Sequence, residues 1–472
     1  MLITNNIDYE QDTDSHLEFT KGGPLVLLDG DPIAYSSAAA CDKATHFIKL
    51  NDKHLYHVEG GITDLYAALG FTDYRDFGEM LEKNPHITYE KVVDSDDSGN
   101  MKHTIKAQIR KIINRTGAGS IRIFLTDGQS NFRLTESIAT ILKYKGNRSP
   151  DAKPSQLGVA RQYLIDELDA IMCVGLEADD QLSIEHRAAW AEAMTEATQF
   201  YCDDPEFIKQ QPQAIEKKAM ELSNTVLVTI DKDIKMCAGK FLNPDQDLGI
   251  EEIFPMGHIF LETKKKKGKP DTKKLRFNGL KGFYSQLLLG DDCDNIPSVY
   301  FCGDTRVYEV LKDCTTEEEL FKATLREIHE GFKREHLKSL TDEISIRLEK
   351  AILSGKHGKD NVSNRTKVRK KIKDAIAKQA AYMDKHYYHW SEYELKEDGT
   401  VSSTLATENP TVLTITPIDY MTEVARLVYM LDVPPDDLGS HLWTPPNQQW
   451  VADVEEEFET ENLLRIPMAW TM

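Results

Sequence analysis

The sequence predicts an α/β protein with a mostly parallel central sheet flanked by helices. Short apolar runs recur along the first half of the chain, and stretches of helical character separate them. This alternation is typical of βαβ units, which place their strands in parallel. With 472 residues, the chain has room for one large α/β unit with insertions or for two domains.

Four runs are predicted as strands because each is apolar or β-branched and each is followed by an acidic residue. They cover 24–31, 120–128, 169–175 and 224–233, and helices are predicted around them over 101–115, 155–168 and 181–198. One strand ending in Asp is ordinary turn chemistry. Four of them indicate a shared site, because the carboxyl ends of parallel strands meet at one edge of the sheet.

Composition and charge narrow the class of protein. The chain has 78 acidic and 57 basic residues, a formal net charge of −21, and no long apolar run, so no membrane span is expected. Its acidic N-terminus lacks the features of a signal peptide. Seven scattered cysteines without a Cys-x-x-Cys spacing indicate reduced thiols. We therefore expect a monomeric protein of the cytoplasm.

The segment Gly-Leu-Glu177-Ala-Asp179-Asp180-Gln places three carboxylates within four residues, directly after an apolar run. Two carboxylates about 4 Å apart repel by roughly 4 kcal/mol at an effective dielectric near 20, so a larger cluster needs bound cations. Oxygen ligands without His or Cys favour Mg²⁺ or Mn²⁺. A pair of such ions suits in-line displacement at phosphorus, which makes phosphodiester hydrolysis the first chemical hypothesis.

Five motifs occur in an order that resembles a known family. They are LLDGDPIAY (27–35), IFLTDGQSNFRLTESIATILKYKGNR (123–148), GLEADDQ (175–181), TIDKDIK (229–235) and LLLGDDCDNIPSV (287–299). Together they resemble the flap endonuclease and 5′-to-3′ exonuclease superfamily, and within it the exonucleases of tailed phages. The resemblance covers about 23–313, with a weaker echo in the C-terminal region. It implies a PIN-like nuclease core with a helical arch and a helix-turn-helix variant, to which this chain adds a helical insertion.

The resemblance also implies which acids bind two Mg²⁺ ions, for which Mn²⁺ substitutes. The implied ligands of one ion are Asp29, Asp127, Glu177 and Asp179. Those of the other are Asp180, Asp231, Asp233, Asp291 and Asp294, some of them through water.

The arch motif supplies the implied phosphate contacts. Arg133, Lys145 and Arg148 are expected to hold the scissile phosphate and stabilise its developing charge. Tyr144 is expected to stack on a terminal base. Without the acids, the same residues describe a solvated basic helix.

The helix-turn-helix variant is expected to contact duplex DNA through Gly303, Thr305 and Arg306. In the family, a glycine-rich turn binds duplex phosphates, often with a potassium ion. Here the turn keeps only one of the expected glycines, Gly303. The potassium site therefore stays open.

The predicted organisation divides the chain into seven segments. These are a leader (1–22), a nuclease core (23–255, with the arch at about 129–160), a basic hairpin or loop (256–275), the helix-turn-helix region (276–313), a charged helical insertion (314–410), a C-terminal helix packing on the core (411–450) and an acidic tail (451–472). Disorder is expected for the tail, with a replication-protein contact as a second interpretation. Basic segments at 133–161, 262–276 and 356–378 offer surfaces for DNA despite the net charge.

The main functional hypothesis is a Mg²⁺-dependent 5′-to-3′ DNA exonuclease of phage replication or recombination. Flap cleavage and RNA-primer removal are further activities, and the substrates are double-stranded DNA with 5′ ends, nicks or flaps, with RNA–DNA hybrids left open. Two alternatives remain. Asp29-Gly-Asp31 resembles the motif of haloacid-dehalogenase-type phosphatases, although Ile33 fits it poorly. The second alternative is a DNA-structure-binding protein without catalytic activity.

Overall fold

The computed structural model describes residues 17–51, 53–71, 74–95, 98–135, 138–148, 153–201, 211–266, 269–332, 334, 392–395, 401–402, 412–414, 416–432 and 442–462. The chain divides into two compact units. Unit 1 comprises 1–131, 149–231 and 239–252, and unit 2 comprises 132–148, 232–238 and 253–472. Among the described residues, no helix is long and apolar enough to cross a membrane, and no disulfide joins the cysteines.

The strands and helices follow in chain order. The strands are β1 (Leu25–Asp29), β2 (Asp42–Leu50), β3 (Lys53–Glu59), β4 (Ile87–Ser95), β5 (Ser120–Thr126), β6 (Ile171–Cys173), β7 (Thr225–Val228), β8 (Gly239–Leu242), β9 (Glu251–Ile253), β10 (Ile259–Lys266), β11 (Lys269–Phe277), β12 (Glu392–Leu395), β13 (Val401–Ser402) and β14 (Val412–Thr414). The helices are α1 (Asp31–Ala39), α2 (Ile62–Leu69), α3 (Tyr74–Lys83), α4 (Ser98–Thr116), α5 (Phe132–Thr135), α6 (Leu157–Leu168), α7 (Ala178–Phe200), α8 (Pro212–Leu222), α9 (Gly279–Leu289), α10 (Asp304–Leu311), α11 (Pro417–Val428) and α12 (Gln448–Asn462). A further helix covers 317–332.

The central sheet of unit 1 confirms the predicted fold class. Its strand order is β6-β5-β1-β7-β8-β9, and β1 pairs in parallel with both β5 and β7. The four predicted strands are β1, β5, β6 and β7, and the predicted helices are α4, α6 and α7. Gly30 turns the chain at the end of β1, where an added Cβ would lie 2.9 Å from the carbonyl oxygen of Phe124. Glycine is therefore required at this position.

A second sheet in unit 1 was not predicted. Strands β3, β2 and β4 form an antiparallel sheet with a small core around Ile48, Leu65 and Phe77. Strands β3 and β4 are exposed at most positions. No apolar run marks these two strands. Residues 42–95 were therefore predicted only as part of the nuclease core, without a sheet of their own.

Unit 2 is mainly helical. The predicted helix-turn-helix region, 276–313, contains α9 and α10, and the predicted C-terminal helix region, 411–450, contains α11. Strands β10 and β11 form the predicted basic hairpin, of which 267–268 lie outside the described residues. In the predicted insertion the structure describes the 317–332 helix and strands β12 and β13. Strand β14, which follows the insertion, pairs with β12 in an antiparallel sheet of order β13-β12-β14. The basic segment 356–378 lies outside the described residues.

The segment predicted as the arch belongs to unit 2. Helix α5 has four residues, and 138–148 forms turns, while 136–137 and 149–152 lie outside the described part of the chain. Arg133 donates to the carbonyl oxygen of Tyr429, and Glu423 accepts from Thr140. These contacts to the region of α11 explain why 132–148 groups with unit 2 and not with the sheet of unit 1.

The expected disorder of the acidic tail is wrong for its first part. Helix α12 extends to Asn462, and it buries Val451, Val454 and Phe458 along one face. Disorder was expected because the segment is rich in acidic residues. Its apolar residues are nevertheless spaced three and four positions apart, which is typical of a packed helix. Residues 463–472 lie outside the described part.

Candidate metal-binding site

The acids of unit 1 gather at the carboxyl end of the parallel sheet. Asp29 is the last residue of β1, Asp231 follows β7 by three residues, and α7 begins directly after Glu177. The start of α7 is held to β5 because the backbone N–H of Ala178 donates to Oγ1 of Thr126 at 2.9 Å. The fold thus brings together acids that are up to two hundred positions apart in the chain.

Asp29 is a buried carboxyl group. It accepts hydrogen bonds from Oγ1 of Thr229 at 2.9 Å and from the backbone N–H of Asp31 at 3.1 Å. Burial, and then the negative charges of Asp31 and Asp231, raise the pKa of Asp29 to about 7, although the two hydrogen bonds act in the opposite direction. The ion-free site therefore disfavours the carboxylate that a metal ligand must provide.

The ionised form of Asp179 is also disfavoured, and by more neighbouring charges than that of Asp29. Burial raises its pKa well above the ordinary value, and the charges of Asp29, Asp231, Glu177 and Asp180 add to the shift. Its Oδ1 atom is buried and has no hydrogen-bond partner in the described part of the protein. A buried carboxylate oxygen among like charges is costly unless a cation or a proton compensates it.

Glu177 and Asp180 form a capping box at the start of α7. The carboxylate of Asp180 accepts from the backbone N–H of Glu177 at 3.2 Å, and both residues are buried. Asp180 therefore stabilises the helix terminus that presents Asp179. This structural role was not predicted for Asp180.

Two acids lie near the end of β5: Asp127, which was predicted as a metal ligand, and Asp31, which was not. Asp127 accepts from Oγ of Ser130 at 2.6 Å and from the backbone N–H of Gln129 at 3.2 Å, and these bonds lower its pKa. Asp31 accepts from the backbone N–H of Thr126 at 2.9 Å and pairs with Arg161. Asp31 was left out of the predicted ligands, although its place two residues after Asp29 was a visible signal.

A second group of acids lies within unit 2. Asp233 and Asp291 are both buried, and Nζ of Lys232 lies 2.9 Å from Asp291 and 3.9 Å from Asp233. Burial opposes ionisation of Asp291, but the hydrogen bond and charge of Lys232 outweigh it, so its pKa is lowered. Gln286 donates to Asp233. Sequence reasoning did not predict Lys232 or Gln286 as partners of these acids.

Asp294 lies against the turn that carries the predicted phosphate contacts. Its carboxylate accepts from the hydroxyl of Tyr144 at 2.9 Å, pairs with Arg148, and lies 3.9 Å from Nζ of Lys145. The backbone N–H of Lys145 also donates to the carbonyl oxygen of Asp294 at 2.8 Å. Four of the predicted site residues therefore meet in one cluster of unit 2.

Two predicted contacts are not accessible in this arrangement. Arg133 is only 1% exposed, and its Nη2 donates to the carbonyl oxygen of Tyr429 at 2.8 Å. Its guanidinium lies inside unit 2, where a scissile phosphate does not reach. The ring of Tyr144 is 4% exposed, so it offers no face to a terminal base.

The predicted duplex contacts lie at the start of α10. Gly303 is the N-cap residue, and both Gly303 and Thr305 are exposed. Arg306 makes two hydrogen bonds, of 3.0 and 2.6 Å, to the buried carboxylate of Glu327. Arg306 therefore supports the turn instead of offering a free guanidinium to DNA.

The donor chemistry of the acids suits a hard divalent cation. Carboxylate oxygens without His or Cys fit Mg²⁺ or Mn²⁺, and the orphaned oxygen of Asp179 fits a missing positive charge. In the described residues, however, no three His, Cys, Asp or Glu side chains form a ready-made metal site. In unit 2, Lys232 and Arg148 neutralise the acids directly.

Comparison with known proteins adds little. No family model matches the chain, and no curated protein matches it. Among solved structures, a crystal structure of the T5 D15 protein, co-crystallized with metal ions, matches with a TM-score of 0.25 and 14% sequence identity, covering 50% of this chain and 86% of the other. A likeness this small identifies neither the fold nor the function of the chain.

Proposed function

We propose that the chain is a divalent-metal-dependent nuclease that hydrolyses DNA phosphodiester bonds from 5′ ends by a two-metal mechanism. Flap cleavage and removal of RNA primers belong to the same proposal. The observation that carries it is the acid cluster of unit 1, in which burial and then the charges of neighbouring acids, Asp231 among them, raise the pKa of Asp29 and of Asp179. Such a cluster is favourable in its ionised form only when cations offset its charge.

In this proposal, the acids of unit 1 hold a Mg²⁺ ion, with Asp29 and Asp179 as the principal ligands. The predicted ligands Asp127 and Glu177 complete that set directly or through water. Asp231, which the resemblance assigned to the other ion, joins this set because its charge acts on both Asp29 and Asp179. When bound, the ions activate water and stabilise the leaving oxygen in a displacement at phosphorus. The acids of unit 2, Asp233, Asp291 and Asp294, remain proposed ligands of a second ion.

The turn 143–148 supplies the proposed phosphate contacts. Lys145 and Arg148 are cations that a phosphate can bind through charge-assisted hydrogen bonds. Both now lie against Asp294. A substrate phosphate must therefore compete with Asp294 for them, so Asp294 limits binding of weak anions at this turn.

The experiment is product analysis on 5′-labelled blunt, nicked, gapped and flap substrates with Mg²⁺. We expect 5′-terminal mono- or short oligonucleotides, and no cleavage in EDTA. Asp179→Asn should reduce cleavage by at least about a hundredfold, since loss of a partner that only supports a metal ligand already costs 10- to 100-fold.

The matched control is Asp169→Asn, which removes an exposed carboxylate of unit 1 at a position with φ of 49° that Asn also adopts readily. It should cleave like the wild type. Full cleavage by Asp179→Asn contradicts the proposed site. Turnover of a generic phosphatase substrate without DNA cleavage favours the phosphohydrolase alternative, and binding without cleavage under Mn²⁺ favours the non-catalytic one.

A further inference from the structure

Phe301 is an unusual residue in the turn before α10. Its side chain is 75% exposed, and its φ of 56° lies in the left-handed region. Bulky residues rarely adopt that conformation, which persists only where the surroundings enforce it. The ring touches that of Tyr300 edge-on, with centroids 4.7 Å apart, and most of its surface still faces outward. A largely exposed aromatic ring on a strained backbone position is suited to contact a ligand.

The surroundings of this turn hold it rigidly. Arg334 donates through Nε and Nη2 to the carbonyl oxygen of Tyr300 at 3.2 and 3.0 Å. The guanidinium also lies 2.7 Å from Glu327, which is 2% exposed and binds Arg306 as well. The carbonyl group of the residue before Phe301 is thus held by an ion network around a buried carboxylate, which anchors the turn that carries the ring.

The surface beside this turn is strongly basic. Helix α10 packs on the hairpin β10–β11, whose segment 262–276 has eight Lys or Arg against two acids. The acid nearest to Phe301 along the chain, Asp304, is paired with Lys274 at 3.4 Å. An exposed aromatic ring beside a basic hairpin matches the chemistry of nucleic acid, which combines base faces with phosphates.

We propose that Phe301 stacks on a nucleobase of DNA at an interruption of the duplex, while the hairpin β10–β11 binds the flanking phosphates. A continuous duplex has no free base face. A nick, gap or end exposes one, or lets an inserted side chain separate neighbouring bases. This inference rests on the proposed nuclease function, and it adds a residue that recognises where the duplex is interrupted.

The test is binding in EDTA, so that no strand is cut, to a nicked duplex with 2-aminopurine at the nick and to the same duplex without the nick. Wild-type protein should quench the fluorophore at the nick. Phe301→Ala should abolish the quenching and weaken binding to nicked DNA about fivefold to a hundredfold, the range for loss of one stacked base. Binding to continuous duplex should change less than twofold.

Further variants separate stacking from folding and from charge. Phe301→Gly also relieves the left-handed strain, so it should lose quenching in a protein at least as stable as the wild type. Phe301→Trp should retain quenching. Phe200→Ala removes another exposed ring, at the end of α7 (66% exposed), and should behave like the wild type. Lys273→Gln with Lys274→Gln should lower the salt dependence, by a slope of about 0.9 for each lost phosphate contact.

Unchanged quenching and affinity in Phe301→Ala overturn the proposal, and this is also the result expected if a protein partner covers the ring. An equal loss on nicked and continuous DNA overturns it too, since that indicates backbone binding. Wild-type protein that quenches at the nick but cleaves no substrate with Mg²⁺ contradicts the nuclease function and leaves the stacking proposal standing.

Discussion

Asp29 is a carboxyl group whose charge the ion-free protein disfavours. Its pKa in the folded chain is about 7, against an ordinary value of 3.8. Between these values the folded protein keeps a proton that the unfolded chain has lost, so stability falls as the pH rises. The full penalty, of the order of a few kcal/mol, is reached above pH 7.

The first prediction concerns this pH dependence. In EDTA, the melting temperature should fall as the pH rises from about 4 to 7, and Asp29→Asn should make the profile flatter. Mg²⁺ should also flatten the wild-type profile, because it favours the ionised carboxylate. Thermal unfolding followed by circular dichroism over this range measures both effects.

Asp169→Asn again serves as the control, and its profile should follow that of the wild type. Identical profiles for Asp29→Asn and the wild type in EDTA would show that the carboxyl group of Asp29 is not held protonated.

At the scale of elements, α11 holds the turns that lead to Lys145 and Arg148. Glu423 on this helix accepts from the backbone N–H groups of Thr140 and Ile141, each at 2.8 Å, and from the hydroxyl of Thr140. Three donors thus converge on one carboxylate. Because 138–148 has little regular structure of its own, this carboxylate fixes where the turn begins.

The second prediction is that Glu423→Gln loosens this segment. A Gln side chain offers one acceptor and presents an NH₂ group toward donors, and a hydrogen bond to a charged group contributes about 1.5–3 kcal/mol. Amide hydrogen exchange at Thr140 and Ile141 should accelerate about tenfold or more. Cleavage by the proposed nuclease should fall with it.

Glu309→Gln, at an exposed position of α10, is the matched control and should leave exchange in 138–148 unchanged. Exchange that stays slow in Glu423→Gln removes this carboxylate as a positioning residue. Faster exchange with normal cleavage confirms the contact but separates it from activity.

At the scale of the molecule, ion pairs offset part of the negative charge that the C-terminal helix carries. Asp453 and Glu457 on α12 pair with Lys322 and Arg326 of the 317–332 helix. The ring of Phe458 stacks on His329 with centroids 4.0 Å apart. Unit 2 therefore packs the 317–332 helix, which lies within the predicted insertion, against α12.

The third prediction is that Val454→Asp destabilises unit 2 strongly. Val454 is fully buried, so an unpaired charge there should cost about 3 kcal/mol or more. Ala452→Asp places the same charge at an exposed position of the same helix and is the control. Urea unfolding should show a lower midpoint only for Val454→Asp. Equal midpoints for the two variants mean that α12 does not contribute to the core of unit 2.

Local pattern determined much of this protein from sequence alone. The four strands of the parallel sheet and their flanking helices were predictable because their apolar runs bury both faces. The acids at the strand ends were predictable for the same reason, since parallel strands deliver their carboxyl ends to one edge. The sheet of β2, β3 and β4 was not predictable, because exposed strands leave no apolar run.

Only the tertiary structure decided what each candidate side chain touches. It buries Arg133, pairs Arg306 with Glu327, and makes Asp180 a helix cap. It also places 132–148 in unit 2 and shows that the first part of the acidic tail, up to Asn462, is helical. A motif specifies the kind of side chain that chemistry needs, but burial and partners depend on contacts between segments hundreds of residues apart, which no local pattern encodes.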